Sequence, residues 1–263
     1  MRLLLLTLLS IISTFILAQD GKYQMGAASS GLGGSSLTVT NGWSIFNNVG
    51  ALGAVDETSA FAAYQNRYNI PGFQVIGGGF VHAMTHATAG IAYYRIGDNI
   101  YNQQRVSFAI GNKFQMVSLG AGVNVIQYHA ESLDTRRRLA IEFGGVAQII
   151  PELSFGAHIF NLKESQIVPT VMKAGLSYRP SDQLMINLET EKELGFSEVF
   201  KAGLQYQLIE PLFFRTGIST KPFKSAFGFG LTLSGFLLDY AYISNPNLGG
   251  IHELSLAYKL KDL

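Results

Sequence analysis

The chain has 263 residues, of which 48% are hydrophobic and only 14% charged, with 19 Lys and Arg against 18 Asp and Glu. A formal net charge of +1 leaves no basic excess to attract nucleic acid. The absence of cysteine excludes disulfides, thiol catalysis and thiolate metal sites.

The first stretch reads MRLLLLTLLSIISTFILAQD. Arg2 precedes an apolar run to Leu17, and Ala18 is a small residue suited to cleavage, so residues 1–18 predict a secretory signal peptide. A short membrane anchor is the alternative. Gln19 in place of cysteine excludes a lipid-anchored lipoprotein. After Ala18 no apolar run approaches the roughly 20 residues that a membrane helix needs. An exported chain this apolar is therefore either a secreted sandwich or a transmembrane barrel.

Residues 19–57 do not alternate. They hold a glycine cluster, Gly31, Gly33 and Gly34, and a helix-like piece, GWSIFNNVGAL, that Thr40 or Asn41 could cap. Trp43, Ile45, Phe46, Val49 and Leu52 give this piece an apolar surface fit for a plug inside a barrel. The glycines could also cradle a phosphate, but no Lys-Ser/Thr follows Gly34 and no strand–glycine–helix unit is present.

From residue 58 to the end the pattern has period two. Val117, Leu119, Ala121, Val123 and Val125 oppose Ser118, Gly120, Gly122 and Asn124. Phe200, Ala202, Leu204, Tyr206 and Leu208 likewise oppose Lys201, Gly203, Gln205 and Gln207. About fourteen such strands, from 58–67 to 251–261, predict an all-β fold: a transmembrane antiparallel barrel with a short N-terminal plug. A lipid-facing band with tyrosines near the strand ends and a small or polar interior accounts for both faces. An even strand count puts both ends on one side. With a periplasmic start, the outer loops, among them 97–103, 131–137 and 163–169, are longer and more polar than the periplasmic turns, yet too short for an external binding platform.

On the lumen face fall Glu142, Lys173, Glu189, Lys201, Arg215, Asp239 and Lys259. Both signs are present, which suits internal pairing around a plug better than the single-sign rings of an ion-selective pore. Arg136, Arg137 and Arg138 form the one basic run and fall in a predicted outer loop, where a lipid phosphate or a partner protein could meet them. His82 and His86 are four apart, but no third metal ligand stands near. His129 and Ser132 share a loop without a further catalytic partner. No residue is assigned to catalysis, and no metal or cofactor is expected.

A family resemblance rests on the N-terminal motif. Gly31-Leu32-Gly33-Gly34 is followed by Trp43-Ser44-Ile45-Phe46 and Asn47-Asn48-Val49-Gly50-Ala51-Leu52. This is similar to the G-x-G-G and N-P-A-G-L elements of FadL-like outer-membrane proteins. It also resembles the W-S-x-x-N-N-P-A-G-L pattern of the PorV and PorQ barrels of Bacteroidetes-type bacteria, with Val49 in place of proline. The resemblance implies a fourteen-stranded outer-membrane barrel whose plug is built on Gly31, Gly33, Gly34, Trp43, Asn47, Asn48, Gly50 and Leu52. It implies two functions. The first is a non-enzymatic accessory subunit of a type IX-like secretion or outer-membrane assembly complex, with protein partners and outer-membrane lipid around it. The alternative is a FadL-like transporter of hydrophobic small molecules. Short loops and a filled lumen favour the first expectation.

Overall fold

The computed structural model describes residues 23–163 and 168–260. The expected signal peptide, residues 1–18, lies outside the described residues. The described chain opens with three short helices, α1 (Ala27–Gly31), α2 (Ser44–Asn47) and α3 (Val49–Leu52). Fourteen strands follow: β1 (Ser59–Arg67), β2 (Gln74–Ala83), β3 (Thr88–Gly97), β4 (Tyr101–Phe114), β5 (Val117–Ala130), β6 (Arg136–Ile150) and β7 (Leu153–Phe160), then β8 (Val171–Ser181), β9 (Leu184–Glu193), β10 (Val199–Ile209), β11 (Leu212–Ser219), β12 (Lys224–Leu233), β13 (Phe236–Asn245) and β14 (Gly249–Lys259).

Each strand pairs antiparallel with its sequence neighbours, and β1 closes the sheet against β14, from Ser59 opposite Lys259 to Arg67 opposite Ile251. Closure leaves no open sheet edge across the middle of the barrel, so the ladder N–H and C=O groups there pair with one another without water, as a bilayer demands. The three register shifts all lie beside tight turns, at Gln148/Ile150, Tyr178/Ser181 and Gln207/Ile209. Between them the ladders run unbroken, so the described wall has no lateral gap.

The ends of the barrel differ. At the end where β1 begins, five of the six turns have two residues, at 115–116, 151–152, 182–183, 210–211 and 234–235. At the other end the connections have three to ten residues. By the usual asymmetry of such barrels the second end faces outward.

The two faces invert the soluble-protein rule. Ile91, Phe108, Leu119, Val123, Phe200, Phe227 and Leu254 are exposed outward, whereas Arg105, Asn124, Glu142, Asp239 and Glu253 are buried inward. No helix among the described residues is long and apolar enough to cross a membrane.

Three local features differ from the sequence reading. The helix-like piece is broken in two. Asn48 takes an extended backbone, φ −163° and ψ 105°, and its side chain accepts from Gly50 N to cap α3. Asn41 only braces the approach, with its Oδ1 accepting from Trp43 N at 3.0 Å. Second, Arg136, Arg137 and Arg138 lie in β6 rather than in a loop, because the β5–β6 ladder runs on to Tyr128 opposite Arg136. Third, Lys259 has lumen parity but sits at the rim, half exposed, in an ion pair with Glu57 at 2.5 Å.

Candidate functional site

The lumen is occupied by the chain's own residues 23–57. Their path begins near the outer end, where Gln103 donates a hydrogen bond to the Tyr23 hydroxyl and the Tyr23 and Tyr128 hydroxyls are 3.3 Å apart. It then descends through α1 and the glycine cluster to α2 and α3, close to the tight-turn end.

Two kinds of contact hold this plug. The first is direct backbone approach. A methyl group added at Gly50 would collide with the backbone of Gly144 and Gly145, and one at Gly217 would collide with Leu32 and Gly33. Lumen-facing glycines of the wall are thus the slots into which the plug's backbone fits, and a Cβ at either side would push the two apart. Apolar packing reinforces the seam. Trp43 lies 4.6 Å from Phe61 between ring centroids, and Ile45, Phe46, Val49, Leu52 and Val55 share one buried cluster with Val75, Val81 and Ala92 of the wall.

The second kind is polar and comes mainly from β8–β14. Glu253 accepts from Gly26 N at 2.8 Å, from the Ser30 hydroxyl and from Gln65 Nε2 at 2.9 Å. Ser255 Oγ accepts from Ala27 N at 3.1 Å. Glu189 accepts from Leu37 N at 3.2 Å, Asn187 donates to Ser35 O at 2.6 Å, and Lys201 donates to Gly34 O at 3.3 Å. On the other wall Ser118 donates to Gly50 O at 2.6 Å and Asn48 donates to Gly145 O at 3.4 Å, while within the plug Asn48 also donates to Leu37 O at 2.7 Å.

The lumen charges pair among themselves. Lys201 lies 3.0 Å from Glu189 and 2.6 Å from Glu191, and Lys173 lies 3.7 Å from Glu191. Arg215 pairs with Asp239 at 2.5 Å. Arg105 pairs with Glu142 at 3.0 Å, Asn124 bridges them, and His158 Nε2 lies 2.9 Å from the second Glu142 oxygen. Pairing is the condition on which charge survives away from water. Sequence reasoning reached Glu142, Lys173, Glu189, Lys201, Arg215 and Asp239 but missed Arg105, His158, Glu191 and Glu253. Strand parity carried the missing signal: each lies two residues, or a multiple of two, from a lumen-facing neighbour in its own strand.

In the outer half of the lumen, between the plug and the wall, is a recess lined by Tyr23, Gln24, Phe46, Arg105, His158, Phe160, Val171, Lys173 and Glu191. It holds about 320 Å³ of empty space counted to its open mouth. The space is a slot, with the Arg105 guanidinium over the rings of Tyr23 (4.9 Å), Phe160 (5.0 Å) and Phe46 (5.8 Å). Nδ1 of His158 is buried and has no partner there.

The other candidates do not assemble. His82 bonds Thr58 Oγ1 through Nδ1 at 3.0 Å and stacks on Phe80, while His86 is exposed in the following turn. His129 is engaged with Thr135 Oγ1 at 3.1 Å.

No family model and no curated protein matches the chain. Solved structures do. The CymD monoaromatic hydrocarbon channel superposes with a TM-score of 0.73 at 12% identity, covering 92% of this chain and 99% of that one. The toluene transporter TbuX of Ralstonia pickettii gives 0.72 at 11% identity, over 91% and 99%. A FadL homologue of Pseudomonas aeruginosa gives 0.70 at 11% identity, over 90% and 98%. The chain has the FadL-type barrel fold. The expectation of a secretion or assembly accessory subunit does not hold, because the structures matched over nearly the whole chain are hydrocarbon channels and transporters. The features that suggested a docking role have another physical reading. Mixed lumen charges pair with one another and also hold the plug's backbone.

Proposed function

We propose that the protein is an outer-membrane, FadL-like channel for small hydrophobic molecules, gated by its own N-terminal plug. The observation that carries this reading is the lumen itself: a closed fourteen-strand wall filled by a tethered segment, with an aromatic-lined slot on the outer side. The wall is continuous, so passage requires the plug to shift. What opposes the shift is a countable set of hydrogen bonds and two glycine seams. Neutral hydrocarbon needs no compensating charge along the way, which suits a lumen whose charges are already paired.

The test is uptake by liposomes holding the purified barrel. A monoaromatic hydrocarbon or a fatty acid should enter faster than in protein-free vesicles, and a sugar of similar size should not. Equal rates for hydrocarbon with and without protein would refute the reading.

A further inference from the structure

The outward face at the loop end carries an ordered polar row that transport does not use. In the register of β3 to β6, Arg95 is opposite Gln104, Gln104 opposite Gln127, and Gln127 opposite Arg137. Two residues along, towards the membrane, the row Tyr93, Val106, Val125 and Leu139 is paired in the same way. Successive outward positions stand about 7 Å apart along a strand. A band of arginine and amide thus sits directly over a band of lipid-facing apolar side chains, with Leu139 69% exposed and Val125 39%.

The three consecutive arginines divide by parity. Arg136 and Arg138 share the side of Ala140 and Glu142, which point into the lumen. Arg137 shares the outward side of Leu139 and Ile141. Its Nε donates to Gln127 Oε1 at 2.9 Å, and the Tyr93 hydroxyl donates to Gln104 Oε1 at 3.2 Å, so the row is already braced. Among the described residues neither outward arginine closes an ion pair within 4.0 Å, although the Asp98 carboxylate stands near enough to Arg95 to feel its charge. Arg95 reaches only the carbonyl oxygen of Asp98 at 3.3 Å, and its Nε is shielded from solvent without a partner. The Asp98 carboxylate is taken by Ile100 N at 2.8 Å and Tyr101 N at 3.0 Å. On another wall the outward Lys192 is neutralised by Glu198 at 2.7 Å.

We propose that Arg95, Gln104, Gln127 and Arg137 hold the phosphate of an outer-leaflet lipid whose acyl chains lie on Tyr93, Val106, Val125 and Leu139. Two planar guanidinium groups with the Gln127 amide nitrogen between them, and the Gln104 amide nitrogen already giving one hydrogen bond to Asn102 Oδ1 at 3.0 Å, match phosphate oxygens, and guanidinium is the side chain suited to bind them in pairs. Continuity with the apolar row selects a lipid over free phosphate, since only an amphipathic ligand uses both.

The experiment compares the wild type with an Arg95→Gln/Arg137→Gln double variant in native mass spectrometry, titrated with lipid A, with dephosphorylated lipid A and with inorganic phosphate. Arg136→Gln/Arg138→Gln is the control, and heat-modifiable gel mobility verifies folding of each. Wild type and control should retain phosphorylated lipid A, and the double variant should bind it roughly ten- to thirty-fold more weakly. Equal retention of the dephosphorylated lipid, equal loss in the control pair, or full competition by inorganic phosphate at matched concentration would each overturn the proposal. If the double variant does not fold, the dephosphorylated-lipid arm on the wild type decides alone.

Discussion

At the scale of single residues, the plug's seat depends on atoms that are missing. Gly50 lies against the backbone of Gly144 and Gly145, where no flexible side chain can yield to a new Cβ. Gly50→Ala should therefore destabilise the seated plug by about 1–3 kcal/mol, the range for overpacking. Planar-bilayer recordings should then show openings that the wild type lacks; a silent, equally stable variant would count against the seam. A second residue, Asp98, links the β3–β4 turn to pH. Hydrogen bonds from Tyr101 and Ile100 N–H hold its carboxyl below the usual carboxylate value. A depressed acid contributes order that is complete above its unfolded value, about 3.9, and is lost as pH falls through the folded one. Protection of the Ile100 and Tyr101 amides against exchange, corrected for intrinsic rate, should drop on acidification below about pH 4 and be flat in Asp98→Asn. At this scale the sequence was partly legible. Parity alone placed Lys201, Asp239 and Glu142 inward, because a period of two assigns faces. It could not place Lys259, whose face is right but whose height along the strand puts it at the rim beside Glu57. Nor did it flag Glu253, which stands two residues before the inward Ser255 in the same strand.

At the scale of elements, strand centres were readable and strand ends were not. β4 begins at Tyr101 and β6 at Arg136, each a few residues before the apolar alternation starts. Beyond the lipid band the outward face becomes polar, so composition reads as loop while the ladder continues. The helix-like piece failed for a different reason. An apolar stripe does not reveal that Asn48 will leave the helical region to cap a second helix, and only the tertiary contact with Leu37 O and the wall makes that conformation stable. Asn48→Ala removes the cap on Gly50 N and leaves Leu37 O short of a donor. The cost should be about 2 kcal/mol, read as a lower urea midpoint for unfolding from lipid vesicles. An unchanged midpoint would mean that packing alone holds α3.

At the scale of the whole molecule, the glycine cluster that resembled a phosphate cradle is part of a plug in a continuous wall. Channel or accessory subunit was not decidable from residues, because mixed lumen charge and short loops serve both. The central claim is that hydrocarbon passes only when the plug shifts. The chain has no cysteine, so an engineered pair is the sole thiol chemistry present. Ala27 and Ser255 touch across the plug–wall boundary, with Ala27 N 3.1 Å from Ser255 Oγ. The most direct measurement is hydrocarbon uptake by liposomes carrying Ala27→Cys/Ser255→Cys, before and after reduction. Uptake should be abolished in the oxidised barrel and restored to the wild-type rate on reduction; uptake at the wild-type rate with the disulfide verified as closed would contradict a plug-gated channel.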